Sequence, residues 1–200
     1  MGWRGEPRAL PLMVSPEESA IAVALTGFMA AGKSTVGREL ACLLKWRFVD
    51  LDCEIERGAQ QSIRDIFAQR GEAAFRELER EALREIVAGA IEPTVIALGG
   101  GTFVQPRMAE FLRDAGVRVV FLELPLEQLL RRCRALGPCC GENPRPLAED
   151  EEAFCDLYAR RLPHYRKADL VVNAEGKTPS ETAREVAKSF GFHRCKSPEI

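Results

Sequence analysis

The segment Gly27-Phe28-Met29-Ala30-Ala31-Gly32-Lys33-Ser34 constrains this chain more than any other. It fits G-x-x-x-x-G-K-[ST], in which successive backbone N–H groups and the start of the next helix surround phosphate oxygens. In a chain of 200 residues a chance match is on the order of one in a hundred. The flanks agree with the motif. Ile21 to Leu25 is an unbroken apolar run, as in a parallel strand buried on both faces. Lys33 to Lys45 carries Val36, Leu40, Leu43 and Leu44 at helical spacing. Ala30, Ala31 and Gly32 then line a nucleotide's phosphates, Lys33 reaches the β and γ oxygens, Ser34 offers its hydroxyl to Mg²⁺, and Thr35 sits near the α-phosphate.

A chain of this length buries about 70% of its unfolded surface in one domain. The net charge of −2 and the lack of long like-charged runs argue against nucleic acid as the main ligand. Seven scattered cysteines without a C-x-x-C pair point to a reducing, cytoplasmic setting. Cys139 and Cys140 read as loop residues rather than metal ligands. Residues 1–19 read as a disordered extension, being too charged and too interrupted by proline for a signal peptide or membrane span. Residues 20–191 form one domain with a lid over about 135–150, and 192–200 a C-terminal tail.

Alternation continues along the domain. Arg47 to Asp50 reads as a second strand, Ser62 as the N-cap of a short helix, Gly71 as punctuation, and Glu72 to Val87 as a long helix. Thr94 to Leu98 and Val117 to Leu124 are further strands. Pro125 opens a helix that turns Leu126, Leu129 and Leu130 inward. Glu151 to Arg166 is helical with a perturbation at Pro163, Asp169 to Asn173 a last strand, and Pro179 to Phe190 a closing helix. This alternation predicts a three-layer α/β fold with a parallel sheet.

Several residues then attract attention at the carboxyl edge of that sheet, where open α/β sheets bind ligands. Asp50 and Asp52 end the second strand, and period-2 geometry turns both carboxylates to one side. Gly99-Gly100-Gly101 follows a buried strand and permits close approach of a ligand. Arg76 and Arg161 are candidate grips for an anionic substrate, because a guanidinium fork matches a carboxylate. Arg145 lies in a loop stiffened by Pro144 and Pro146, suited to closing over a γ-phosphate.

Taken in order, these segments resemble the shikimate kinase family of P-loop enzymes. The resemblance rests on the phosphate loop through Arg38, Phe48-Val49-Asp50-Leu51-Asp52, Ser62 to Phe67, Gly71 to Arg76 with Glu79, the triple glycine, Arg145-Pro146-Leu147, and Arg161 to Tyr165. It implies a five-stranded parallel sheet of order 2-3-1-4-5 with a mobile lid, and phosphorylation of the shikimate 3-hydroxyl by ATP with Mg²⁺. By resemblance, Lys33 and Arg145 contact the transferring phosphate. Asp52 is the base, Asp50 holds the metal through water, and Ser34 ligates it. Arg76, Arg161 and Gly99 to Gly101 bind the acceptor, and Pro179 neighbours the adenine, with Lys177 close by. A monomer acting on ATP and shikimate, without nucleic acid or membrane, is the implied state. A gluconate-type kinase and a non-catalytic nucleotide-binding module are the alternatives. Ala30 stands where the family commonly has glycine, which suits it if its backbone angles are negative.

Overall fold

β1, Ala22–Thr26, has all five residues buried and forms the centre of the sheet, as its unbroken apolar run requires. A computed structural model describes residues 22–136 and 150–192. After β1 come α1 (Lys33–Leu44), β2 (Arg47–Asp50), α2 (Leu51–Ala59), α3 (Ile63–Ala88), β3 (Thr94–Ala97) and α4 (Met108–Asp114). The chain continues through β4 (Val117–Glu123), α5 (Leu126–Leu136), α6 (Glu151–Tyr165), β5 (Leu170–Asn173) and α7 (Pro179–Ser189). The sheet order is β2-β3-β1-β4-β5, with every pair parallel, so the topology agrees with the resemblance. The Cys139–Cys140 pair, Arg145, the N-terminal extension and residues 193–200 lie outside the described residues.

Register decides where the site forms. Asp50 pairs with Ala97, and Leu25 pairs with the same Ala97. The ends of β2, β3 and β1 therefore reach one edge together, and the three segments that follow them converge there. The pairing runs one step further, since Leu98 N–H donates to Leu25 O at 3.0 Å. α1 and α7 pack side by side against the sheet. Trp46, just after α1, meets Phe192, just after α7, with ring centroids 5.0 Å apart. No helix among the described residues is long and apolar enough to cross a membrane.

The strand and helix readings match the elements to within a residue or two at their ends, but α2 and α4 were not anticipated. α2 follows β2 without a connecting residue, because Asp50 both ends the strand and caps the helix, accepting from the Asp52 N–H at 3.2 Å. Gly71 has φ 77° and ψ 175°, a conformation open to glycine, and splits α3 into the two expected pieces.

α7 opens on a capping box. The Thr178 backbone N–H donates to Glu181 at 2.8 Å, its hydroxyl does the same, and Glu181 N–H returns a bond to Thr178 Oγ1. The Thr178 backbone N–H, aided by the hydroxyl, holds the Glu181 carboxyl below its ordinary 4.5. A carboxyl with a depressed folded pKa contributes stability above its unfolded pKa and loses it as pH falls through the folded one. Glu181→Gln is therefore expected to flatten the fall of the thermal midpoint below about pH 4.5, measured by denaturation scans from pH 7 to pH 3. An unchanged slope would count against this role for the box.

Candidate active site

β1 delivers the chain to Gly27, whose Cβ, if it had one, would lie 2.9 Å from Leu122 O. The loop tightens through the Ala31 N–H to Phe28 O bond at 3.2 Å and enters α1 at Gly32, φ 90°, with no side-chain cap. That uncapped helix start offers backbone N–H groups and a positive dipole end to an anion. Ala31 is buried and Thr35 exposed. Lys33 is nearly buried, and its Nζ donates to Gly27 O at 3.0 Å and Phe28 O at 3.1 Å, so the ammonium arches back over the loop. Ser34 Oγ donates to Asp50 Oδ2 at 2.5 Å, joining the loop to the end of β2.

Ala30 departs from the expectation of negative backbone angles: its φ is +61°. The tight turn before Gly32 needs a left-handed residue there, which costs an L-residue about 1–2 kcal/mol. Part of that is offset because alanine restricts the unfolded chain more than glycine. Ala30→Gly is expected to raise stability by about 0.5–1 kcal/mol, visible as a thermal midpoint a few degrees higher. A lower midpoint would contradict the strain.

The triple glycine following β3 is where the rest of the site meets. A Cβ on Gly99 would lie 2.7 Å from Glu79 Oε1, 2.9 Å from Asp52 Oδ1 and 3.0 Å from Thr102 Oγ1. One on Gly100 would lie 3.6 Å from Met29 N and 3.8 Å from both Gly27 O and Arg161 Nη1. One on Gly101 would lie 2.6 Å from Arg76 Nη2. Side chains are absent from this turn because Glu79, Asp52, Thr102, Arg76, Arg161 and the phosphate loop occupy their places.

Arg76 is held by Glu79 at 2.8 Å and Glu72 at 3.1 Å. Glu79 is fully buried, and it also accepts from Thr102 Oγ1 and Gln105 Nε2, each at 2.5 Å. A buried carboxylate supplied with three donors is satisfied, and it fixes the guanidinium that it pairs with. Burial lowers the Arg76 pKa, but the charge and hydrogen bond of Glu79, with those of Glu72, outweigh it and leave the guanidinium more firmly protonated than usual. Arg161 comes from α6, donates to Gly100 O at 3.2 Å, and stands 5.8 Å from the Phe28 ring centroid. The Phe28 ring is in turn wedged edge-on against Phe154 and Tyr158.

The strand geometry expected for Asp50 and Asp52 is corrected. β2 stops at Asp50, and Asp52 belongs to the first turn of α2, so a strand-to-helix switch rather than period-2 alternation aims the two carboxylates. They divide accordingly: Asp50 faces Ser34, and Asp52 faces Gly99. Cys53 is next to them, and its thiol is pushed up by burial and then by the Asp50 charge, which keeps it protonated. Pro179 is the exposed first residue of α7, and Lys177 is tied to Asn173 O at 2.7 Å and Glu185 at 2.5 Å. Arg145 lies outside the described residues.

Sequence reasoning assigned no role to Glu79, Thr102, Gln105, Tyr165 or Arg132. The last has Nη1 3.9 Å from where a Cβ of Gly32 would stand, beside the loop's exit into α1. Nothing in an arginine-rich helix singles out position 132. Glu79, three residues after Arg76, carried a detectable signal in its i,i+3 spacing.

An uncapped helix start with a lysine arched over it, next to a glycine turn that meets two arginines and a carboxylate, is the arrangement of a phosphate-binding kinase. The profile of the shikimate kinase family matches residues 29–190. The shikimate kinase of Chlorobium chlorochromatii is 41% identical over 171 residues, covering 83% of this chain and 88% of the relative. That of Thermus thermophilus is 41% identical over 174 residues, covering 86% and 90%. The structure of shikimate kinase from Acinetobacter baumannii in complex with shikimate superposes with a TM-score of 0.76 at 34% identity, covering 90% of this chain and 97% of that one. The chain belongs to the shikimate kinase family.

Proposed function

We propose that this protein transfers the γ-phosphoryl group of ATP to the 3-hydroxyl of shikimate, giving shikimate 3-phosphate and ADP in the route to aromatic amino acids. One observation carries the reading. The glycine turn at residues 99–101 touches Asp52, Arg76, Arg161 and the phosphate loop at once, so acceptor and triphosphate share a wall.

Arg76 and Arg161 bind the shikimate carboxylate as charge-assisted pairs. That grip, with the ring lying over Gly99 to Gly101, brings a ring hydroxyl to Asp52. Asp52 accepts the hydroxyl proton as the oxygen attacks the γ-phosphorus, and the bond from that phosphorus to the ADP oxygen breaks. Lys33 leaves the carbonyls of Gly27 and Phe28 for the β and γ oxygens and stabilises charge that grows on them. Ala30, Ala31, Gly32, Ser34 and Thr35 supply the phosphate cradle. Pro179 and Arg132 flank the nucleotide.

The Ser34–Asp50 pair fits Mg²⁺, because two hard oxygen donors in contact suit an ion that takes its other ligands from phosphate and water. Mg²⁺ held there supplies charge neutralisation at the β and γ oxygens. A cytoplasmic monomer is the setting that we infer, and the free thiols of Cys42, Cys53, Cys133 and Cys155 suit such a reducing compartment.

The test is an ADP-release assay with shikimate, shikimate methyl ester and gluconate. Shikimate is expected to give the highest kcat/KM, with the ester about 100-fold lower through loss of the carboxylate grip. Equal rates on ester and acid would remove the arginines from substrate binding, and faster turnover of gluconate would reassign the acceptor.

A further inference from the structure

We infer that Tyr165 is a positioning residue for the acceptor: its hydroxyl fixes the Gly100 carbonyl and thereby the orientation of Arg161. This rests on the reading of Arg161 as a ligand of the substrate carboxylate.

Tyr165 is fully buried in the last turn of α6, and its ring stacks on Phe121 of β4 at 5.2 Å between centroids. Packing alone asks only for a ring at this place, and phenylalanine would provide it without burying an oxygen. The hydroxyl is explained by its bond to Gly100 O at 2.5 Å. Arg161 Nη1 donates to that same oxygen at 3.2 Å. Arg161 and Tyr165 are one helical turn apart, so they approach the carbonyl from one face of α6 and satisfy both of its lone pairs.

The Gly100 peptide is the piece most in need of such a clamp. It has no side chain, so its own conformational restraint is the weakest available. A Cβ there would meet the phosphate-loop atoms Met29 N and Gly27 O alongside Arg161 Nη1. A tyrosine anchored on β4 holds the carbonyl still, and the guanidinium that docks on it keeps its remaining donors turned toward the substrate pocket. Without the hydroxyl, the carbonyl reorients and Arg161 samples conformations that do not meet a carboxylate. The consequence falls on acceptor binding and spares the nucleotide.

Three variants test this: Tyr165→Phe, Arg161→Ala and the double substitution, each measured for the KM of shikimate, the KM of ATP and the thermal midpoint. Tyr165→Phe is expected to raise the shikimate KM about fivefold, with the ATP KM unchanged and the midpoint nearly so. In the Arg161→Ala background, Tyr165→Phe is expected to add nothing further, because the hydroxyl acts through the guanidinium. An unchanged shikimate KM in Tyr165→Phe, a parallel rise in both KM values, or additive effects in the double variant would each overturn the inference. If Arg161→Ala itself leaves the shikimate KM unchanged, the underlying assignment of Arg161 fails instead, which is a separate and distinguishable result.

Discussion

Asp52→Asn is expected to lower kcat on shikimate by about three orders of magnitude, the scale of a well-placed general base, while the KM of ATP stays near its wild-type value. The amide keeps the shape and the place in α2, whose cap depends on Asp50 and on the backbone N–H of residue 52 rather than on its side chain. What is lost is the capacity to take the hydroxyl proton. Asparagine also brings an N–H donor toward Glu79 Oε1 and Thr102 Oγ1, which crowd Gly99 together with Asp52. Steady-state kinetics with the thermal midpoint as a folding control decide the matter. Turnover within threefold of wild type would strip Asp52 of its role.

Gly101→Ala is expected to raise the KM of shikimate about 100-fold, comparable to removing a hydrogen-bonded charge outright. Gly101 is not one of the glycines with a positive φ, so the effect comes from contact rather than from strain. The added methyl would stand 2.6 Å from Arg76 Nη2, 2.7 Å from Nη1 and 2.9 Å from Cζ. Since Glu79 and Glu72 hold that guanidinium, it cannot yield without breaking an ion pair to a fully buried carboxylate. Arg76→Ala is expected to match the KM defect. A shikimate KM in Gly101→Ala close to wild type would mean that the arginine moves aside freely, and that its geometry is not set by Glu79.

Much of this arrangement was readable in the chain because it depends on local patterns. The phosphate loop follows from glycine and lysine spacing between a buried run and an amphipathic helix. The start of α3 follows from Ser62, which accepts from Asp65 N–H at 3.1 Å, and the break within it from Gly71. The sheet order came by resemblance, since no local pattern states which strands are neighbours. α2 was missed because it has no separate start signal: Asp50 serves two elements at once. Ala30 was misjudged because residue type alone does not report φ, and a tight turn imposed the left-handed region on an alanine. The Glu79 cluster and the shared Gly100 carbonyl were hidden for a common reason. Their partners are 23 and 26 residues apart in one case and 61 and 65 in the other, so only the folded chain brings them together.

The central claim is that one glycine-walled cleft holds a triphosphate and a carboxylate-anchored alcohol in line. The most direct measurement is ³¹P and ¹³C NMR of the products formed by the purified protein from ATP, Mg²⁺ and shikimate. The expected result is stoichiometric ADP and shikimate phosphorylated at the 3-hydroxyl. ADP released with inorganic phosphate at the same rate whether or not shikimate is present would contradict it.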